Sequence, residues 1–429
     1  MNVFNIKEKF MQKRNLAVMT AVMSLVCANN AKAEDNEVLQ RIKSLETRIN
    51  ELENNQNQTP VLQASQINGI SAFNPYVSVV LNGAYNNYSN SDKEISGFQV
   101  GEEGESPDKG FSLGESEINM GANVDDKFLA NLTASVVSED GEDKIELEEA
   151  FVQSIGLPYG FTATAGRLKP VFGYLNEKHA HTDEFADRPL PYRVFLNNAY
   201  KDDGAQISMV LPTDFYTEIG GGLYRGGYFP ASAEGSGDGA ANAYIKFGGD
   251  ITENQAWLGG FSYLYAKSNK ERESDDIVFE GKDNLYGLSL KYTYAPSGNN
   301  KESELALQGE YLFRDEKGQY NIEDEGFEQY NNKSSGWYIQ STYKFLTNWK
   351  IGYRYAQMRP DNVPEALKDS PLDADGHKPQ MHSLMTEWDN SEFSRIRLQY
   401  NYDKSSTKDD NQVVLEYTMS FGAHGAHGF

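Results

Sequence analysis

The sequence predicts an all-β fold, a transmembrane antiparallel β-barrel of about 16 strands preceded by an N-terminal coiled-coil helix. Three observations point there. From Phe73 onward apolar and polar side chains alternate with period two. The longest apolar run, Leu16 to Cys27, has 12 residues, short of the roughly 20 that a membrane-spanning helix needs. The 429 residues include 26 Tyr, 22 Phe and 38 Gly at a mean hydropathy of -0.63, the aromatic and glycine load of a large β protein. A net charge of -24 excludes a basic nucleic-acid binder.

Residues 1–33 have the three parts of a secretory signal peptide in order. Lys7, Lys9, Lys13 and Arg14 precede the apolar run, and Ala31-Lys32-Ala33 follows as a small-x-small cleavage site. Cleavage after Ala33 removes Cys27, the single cysteine, and with it any disulfide or thiol nucleophile. Lipid attachment at Cys27 would call for a small residue just before it and Leu three before, where the chain has Val26 and Ser24. The remaining chain holds 34 basic and 62 acidic side chains, a net charge of -28.

Residues 34–55 predict a periplasmic coiled-coil helix. Val38, Ile42, Leu45, Ile49 and Leu52 recur in steps of four and three, which puts Ile42 and Ile49 at a and Leu45 and Leu52 at d. Arg41 and Arg48 fall at g, and Glu46 and Glu53 at e, where opposite charges meet across chains. Both Arg41 to Glu46 and Arg48 to Glu53 resemble the Arg-apolar-x-x-apolar-Glu pattern of short trimeric coiled coils, so a homotrimer is expected. So short a helix needs a larger body to hold three copies together. Residues 56–72, rich in Asn, Gln and Ser around Pro60, read as a flexible linker.

The barrel is assigned to residues 73–429. Leu305, Leu307, Gly309, Tyr311 and Phe313 alternate with Glu304, Ala306, Gln308 and Glu310; Trp337 to Phe345, Ile396 to Tyr402 and Val413 to Phe421 repeat the pattern. One parity meets lipid and the other water. Only around Ile145 to Ile155 does it break down, because Glu146, Glu148 and Glu149 occupy both parities. Tight turns at Asp125-Asp126, Pro212-Thr213-Asp214, Leu346-Thr347-Asn348 and Asp389-Asn390-Ser391 alternate with long polar stretches, as short periplasmic turns alternate with long external loops. Aromatic residues such as Trp257, Tyr265, Tyr286, Tyr294, Trp349 and Tyr355 sit toward strand ends, where they anchor at headgroup level. A soluble sandwich would not keep a polar face on nearly every strand. Tyr417, Met419, Phe421 and the terminal Phe429 share the outward parity and read as the membrane-insertion signal.

Signal peptide, coiled coil, about 16 strands and a terminal Phe together resemble the trimeric phosphate-selective type of Gram-negative outer-membrane porin. The local match is Gly166-Arg167-Leu168-Lys169-Pro170-Val171-Phe172-Gly173, which resembles the Gly-x-Phe-Lys-x-Pro-x-Gly segment leading into that family's long loop, with Leu168 in place of Phe. The resemblance implies passive diffusion of small hydrophilic solutes or ions, outer-membrane lipid and lipopolysaccharide as surroundings, and an inward-folded third loop at 170–203. Leu190, Val194, Phe195 and Leu196 can pack that loop on the wall, stiffened by Pro189 and Pro191. Asp183, Glu184 and Asp187 facing Arg188 and Arg193 would set a transverse field across the pore constriction.

Lumen parity also carries the wall bases Lys344, Lys350, Arg354, Arg395 and Arg397, opposed by the acids Glu115, Glu117, Glu310, Glu387 and Glu416. The external loops are acidic, as at Glu102-Glu103-Gly104-Glu105, so they attract cations; phosphate selectivity is therefore not carried over. His179 and His181, followed by Asp183 and Glu184, are ligand types that zinc accepts, which gives the alternative of a channel assisting divalent metal passage. A structural anchor or adhesin with a plugged pore is the other alternative. The expected function needs neither catalysis nor a cofactor. His382 beside Ser383 is the faint exception, a candidate pair for a barrel lipase that lacks an orienting group.

Overall fold

In hydrocarbon a strand cannot leave peptide groups unpaired, so strands with one lipid-facing parity must close on themselves. The computed structural model describes residues 75–422, apart from 91–92, 140–141, 234–238, 275–276 and 323–325. The predicted signal peptide, coiled-coil helix 34–55 and linker 56–72 belong to the unit Met1–Asn74 and lie outside the described residues; Phe429 lies outside them as well.

The unit Pro75–Phe429 is built on one sheet of 17 strands. β1 (Tyr76–Tyr88) pairs on one side with β2 (Gly110–Leu113) and β3 (Ser116–Asn123), two halves of one stave parted at Gly114-Glu115. There follow β4 (Phe128–Glu139), β5 (Glu142–Ser154), β6 (Phe161–Leu168), β7 (Asp202–Val210), β8 (Tyr216–Tyr224) and β9 (Ala240–Thr252). Next come β10 (Gln255–Ser274), β11 (Ile277–Tyr294), β12 (Glu304–Ile322), β13 (Gly326–Leu346), β14 (Trp349–Arg359), β15 (Gln380–Ser391), β16 (Ser394–Lys404) and β17 (Asp410–Gly422). Neighbours run antiparallel throughout, and β17 returns to β1 with Ser78 opposite Gly422 and Tyr88 opposite Gln412. Sixteen staves thus close without an edge, the number the alternation predicts.

The parity is as the sequence indicates. On β13, Ile339 and Tyr343 are exposed while Tyr338, Gln340 and Thr342 are buried; on β16, Leu398 and Tyr400 are exposed while Arg397, Gln399 and Asn401 are buried. The segment without alternation contains a β-bulge: Thr133 faces Glu149 while Ala134 faces Leu147, leaving Glu148 as the extra residue. The bulge turns Glu148 and Glu149 both inward, where they meet Lys201 and His179. Local geometry also fixes the short turns. Asp125 Oδ1 accepts the N–H groups of Lys127 and Phe128 at 2.7 and 2.9 Å. The last turn is Glu392-Phe393 rather than Asp389-Asn390-Ser391, because a bulge between Asp389 and Ser391 lets Ser391 still face Ser394.

Stave length is uneven. β10 to β13 have 20, 18, 19 and 21 residues, whereas β6 to β8 have 8, 9 and 9. At about 3.4 Å per residue β13 is roughly 70 Å long, well beyond an apolar band of about 25 Å even when tilted. The surplus lies toward the long-loop side, where Leu367 and Leu372 pack against Ile277, Phe279, Tyr320 and Tyr330.

If the exposed row meets hydrocarbon, Leu398→Arg should cost about 2–4 kcal/mol when the barrel is unfolded by urea from lipid bilayers. An unchanged midpoint would place that row in water.

Candidate functional site

Residues 169–201 join β6 to β7 and lie across the barrel interior. Their composition drives them there. Phe172, Leu175, Phe185 and the helix α1 (Leu190–Leu196) are buried, and every residue of α1 is enclosed. A short helix that is mostly apolar all round is stable only inside other protein. Pro191 sits in its first turn, and Asn197, at φ 49, ends it in the left-handed region. Asn197 Oδ1 then accepts the N–H of Gly104 at 2.7 Å, which ties this helix end to residues 93–109.

Two internal braces shape the segment. Asn176 Nδ2 donates to the carbonyls of Pro170 and Tyr200 at 2.7 and 3.0 Å, and its Oδ1 accepts the Tyr200 N–H at 2.8 Å, pinching the base of the loop. Arg188 donates to Asp183 at 2.8 Å and to the carbonyls of Asn198 and Lys178 at 2.8 and 2.6 Å. Each guanidinium N–H spent on a carbonyl or carboxylate offsets the cost of burying its charge.

The wall holds the segment on several sides. Glu310 on β12 accepts from the Tyr174 N–H at 2.8 Å, from Tyr192 Oη at 2.9 Å and from Tyr338 Oη. Asp187 meets Arg354 on β14 and accepts from Gln399 and Asn401 on β16 at 2.7 and 3.0 Å. Glu184 pairs with Lys350 at 3.0 Å, and Lys350 also reaches Glu387 at 2.8 Å. Arg397 bridges Glu387 and Glu416 at 2.6 and 3.0 Å and donates to the Asp183 carbonyl at 2.8 Å; Arg395 donates to the His181 carbonyl. Burial alone would raise the Glu184 carboxyl, but the Lys350 ammonium outweighs it and holds the group down at about 2. Burial likewise opposes ionisation of Asp187, and Arg354 again prevails.

A second sector, β3 to β5, has the opposite polarity. His179 Nδ1 is 2.9 Å from Glu117 and its Nε2 is 2.9 Å from Glu149, while His181 Nδ1 is 3.2 Å from the same Glu117 oxygen. Lys169 pairs with Glu148 at 3.2 Å, and Lys201 pairs with Glu148 and Glu146 at 2.6 and 3.1 Å. Burial and nearby Lys169 both push the His179 imidazolium toward neutrality. Its bonds to Glu117 and Glu149 win, and it is held up at about 9.

Several residues therefore have partners other than those expected. Within the loop only Asp183 and Arg188 pair directly. Glu184 and Asp187 go to the wall instead, because Lys350 and Arg354 stand on the staves beneath them. Arg193 donates to the Gly104 carbonyl at 2.8 Å and to Ser106 at 3.0 Å. The late-strand bases do not form an open basic wall: Lys344 lies 3.6 Å from Asp389, and Lys350, Arg354 and Arg397 are matched by carboxylates. His179 and His181 face Glu117 and Glu149 rather than Asp183 and Glu184, since the latter two turn toward Arg188 and Lys350. Ser383 is buried inside, whereas His382 lies on the outer face against Tyr353, Tyr355 and Tyr402, so that pair cannot act together.

Sequence reasoning read Glu102 to Glu105 as part of an acidic external loop and missed the inward packing of residues 93–109. Gln99 Nε2 donates to the carbonyls of Arg272 and Ile277 at 3.0 and 3.2 Å, and Arg272 Nε returns a bond to Gln99 Oε1 at 2.9 Å. Ile95, Phe98 and Val100 join α1, Leu264, Leu285, Leu312 and Met358 in one buried apolar cluster. Three apolar residues within the six from Ile95 to Val100, inside an otherwise polar stretch, were the available signal.

No family model matches the chain. Among solved structures, the outer membrane channel DcaP of Acinetobacter baumannii superposes with a TM-score of 0.52 at 13% identity, over 81% of this chain and 97% of that one. The anion-selective porin from Comamonas acidovorans gives 0.51 at 11% identity, over 81% and 99%. The fold is thus that of outer-membrane porins. An uncharacterised protein of Aquifex aeolicus strain VF5 is 31% identical over 404 residues, 86% of this chain and 83% of its own length, and the chain belongs to one family with it.

Proposed function

We propose that this protein is a Gram-negative outer-membrane porin through which small hydrophilic solutes or ions diffuse passively, with residues 169–201 as its constriction. The observation that carries the reading is the combination of a closed barrel, apolar outside and polar within, with a charged segment lying across its interior. On this reading Asp183, Glu184, Asp187, Arg188 and Arg193 set the field at the narrowest section, and the β3–β5 and β14–β16 sectors give the lumen two polarities. Between the loop and β9 to β11 lies a cavity of about 230 Å³ lined by Glu177, Lys178, Lys246 and Ser289.

A second reading has its own support. The apolar cluster of residues 93–109 and α1 against β10 to β15 fills much of the long-loop half of the interior, as a plugged structural barrel would require. Planar-bilayer recording separates the two, since a plugged barrel carries no current in KCl.

Homotrimer assembly is part of the proposal. The predicted coiled coil supports it, and so does the outer face. Exposed Tyr and Trp side chains such as Tyr286, Tyr311, Tyr343, Trp349, Tyr353, Tyr400 and Tyr417 lie on β10 to β17. On β6 to β9 the outward positions carry no Tyr or Trp and are mostly small or aliphatic, with Ala165 opposite Ala205, Ile207 opposite Gly221 and Gly221 opposite Ala243, and with Phe161 and Phe247 at the short-turn end. A lipid-facing surface carries anchoring aromatics, whereas one covered by another copy has no use for them.

Two outcomes test this section. A unit charge about 4 Å from a permeating ion in water is worth about 1 kcal/mol, so removing two of them in Arg188→Ala with Arg193→Ala should raise cation-over-anion permeability at least about fivefold, read from reversal potentials in KCl gradients. Unchanged selectivity would remove these residues from the constriction. Ala165→Trp with Ala205→Trp should convert the detergent-solubilised trimer to monomers by light scattering; an intact trimer would put its interface elsewhere on the barrel.

A further inference from the structure

Three elements bring a mixed donor set together beside the loop. The stave formed by β2 and β3 is parted at Gly114-Glu115, which sets Glu115 next to inward-facing Glu117. The β5 bulge adds Glu149, and the loop supplies His179 and His181. We propose that Glu115, Glu117 and His179 bind one divalent cation of the zinc type, which fastens residues 169–201 to the β2–β3 stave. This goes beyond the porin reading and does not depend on it.

Geometry comes first. One donor atom from each of the three residues lies within 4.8 Å of the other two. A single ion at about 2.0–2.2 Å from each ligand spans such a triangle after small side-chain rotations. Glu149, 2.9 Å from His179 Nε2, and His181, 3.2 Å from Glu117, stand where a fourth ligand or a second-shell partner belongs. Imidazole with carboxylate is a donor pair that zinc accepts and that a simple acidic patch lacks.

Charge points the same way. Glu115, Glu117, Glu146, Glu148 and Glu149 converge here against the cations Lys169, Lys201 and His179. Glu115 has no hydrogen bond and no ion pair among the described residues, although it stands beside a second carboxylate. Lys169 Nζ lies 3.3 Å from His179 Nδ1 and 3.2 Å from Glu148. On metal binding the ion takes over the positive charge at Glu115 and Glu117, Lys169 stays with Glu148, and the His179 ligand nitrogen gives its proton to solvent.

Isothermal titration of Zn2+ into the chelator-stripped full protein in detergent, at pH 7, tests the site. One ion per chain is expected, with affinity at least tenfold weaker in both Glu115→Gln and His179→Gln and unchanged in Glu302→Gln, a surface control. Zinc should also raise the heat-unfolding temperature of the parent protein and not of the two variants. Glu115→Gln guards against misfolding, because the change keeps the side chain's shape and breaks no hydrogen bond or ion pair among the described residues. Absence of binding, or equal affinity in Glu115→Gln and the parent, overturns the site. Conductance of the same preparations in KCl bears on the porin reading alone.

Discussion

The closed ring of sixteen staves pairs each stave with a neighbour on both sides, which is what backbone N–H and C=O groups require in a bilayer, where no water is at hand. Everything else follows from that closure. It forces a period of two on the side chains, so one row of residues faces outward and the next faces the interior. A ring of sixteen staves is wider than its own side chains can fill. The chain therefore spends two long connections, residues 93–109 and 169–201, on occupying the space, and their apolar side chains form the larger of two buried clusters among the described residues, the other being Leu367 and Leu372 on Ile277, Phe279, Tyr320 and Tyr330.

Charge settles where the crossing segment sits. Its acids lie toward Lys350 and Arg354, its histidines toward Glu117 and Glu149, so each edge meets a wall of opposite sign. Arg188 and Asn176 fix the shape between those contacts by holding carbonyls that no ladder could reach. Position is thus specified by electrostatics and internal form by hydrogen bonds to the backbone, with apolar burial supplying most of the driving force.

How much of this could be read in advance depended on how local each signal was. Strand parity is carried by neighbouring residues, and the rows around Ile339, Leu398 and Leu415 are legible in the sequence and match the structure. The bulge at Glu148 is a departure from that local rule, and it erased the pattern where Glu148 and Glu149 turn inward together. The pairings of Glu184 and Asp187 were hidden for another reason. Their partners lie more than 160 residues away on β14, and proximity in sequence favoured Arg188 and Arg193 instead. Burial of Ile95, Phe98 and Val100 was legible only as a local excess of apolar residues.

The ion pairs that anchor the crossing segment are enclosed, with Arg188, Arg354 and Arg397 almost fully shielded. Dissolved salt shortens the reach of exposed charges, to about 3 Å at 1 M, but leaves contacts inside the protein nearly untouched. On the proposed porin reading, the acidic outer mouth and the inner bore therefore respond differently to salinity. In brackish water the mouth draws cations from a distance, and in brine that attraction fades while the width and polarity of the bore stay as they were.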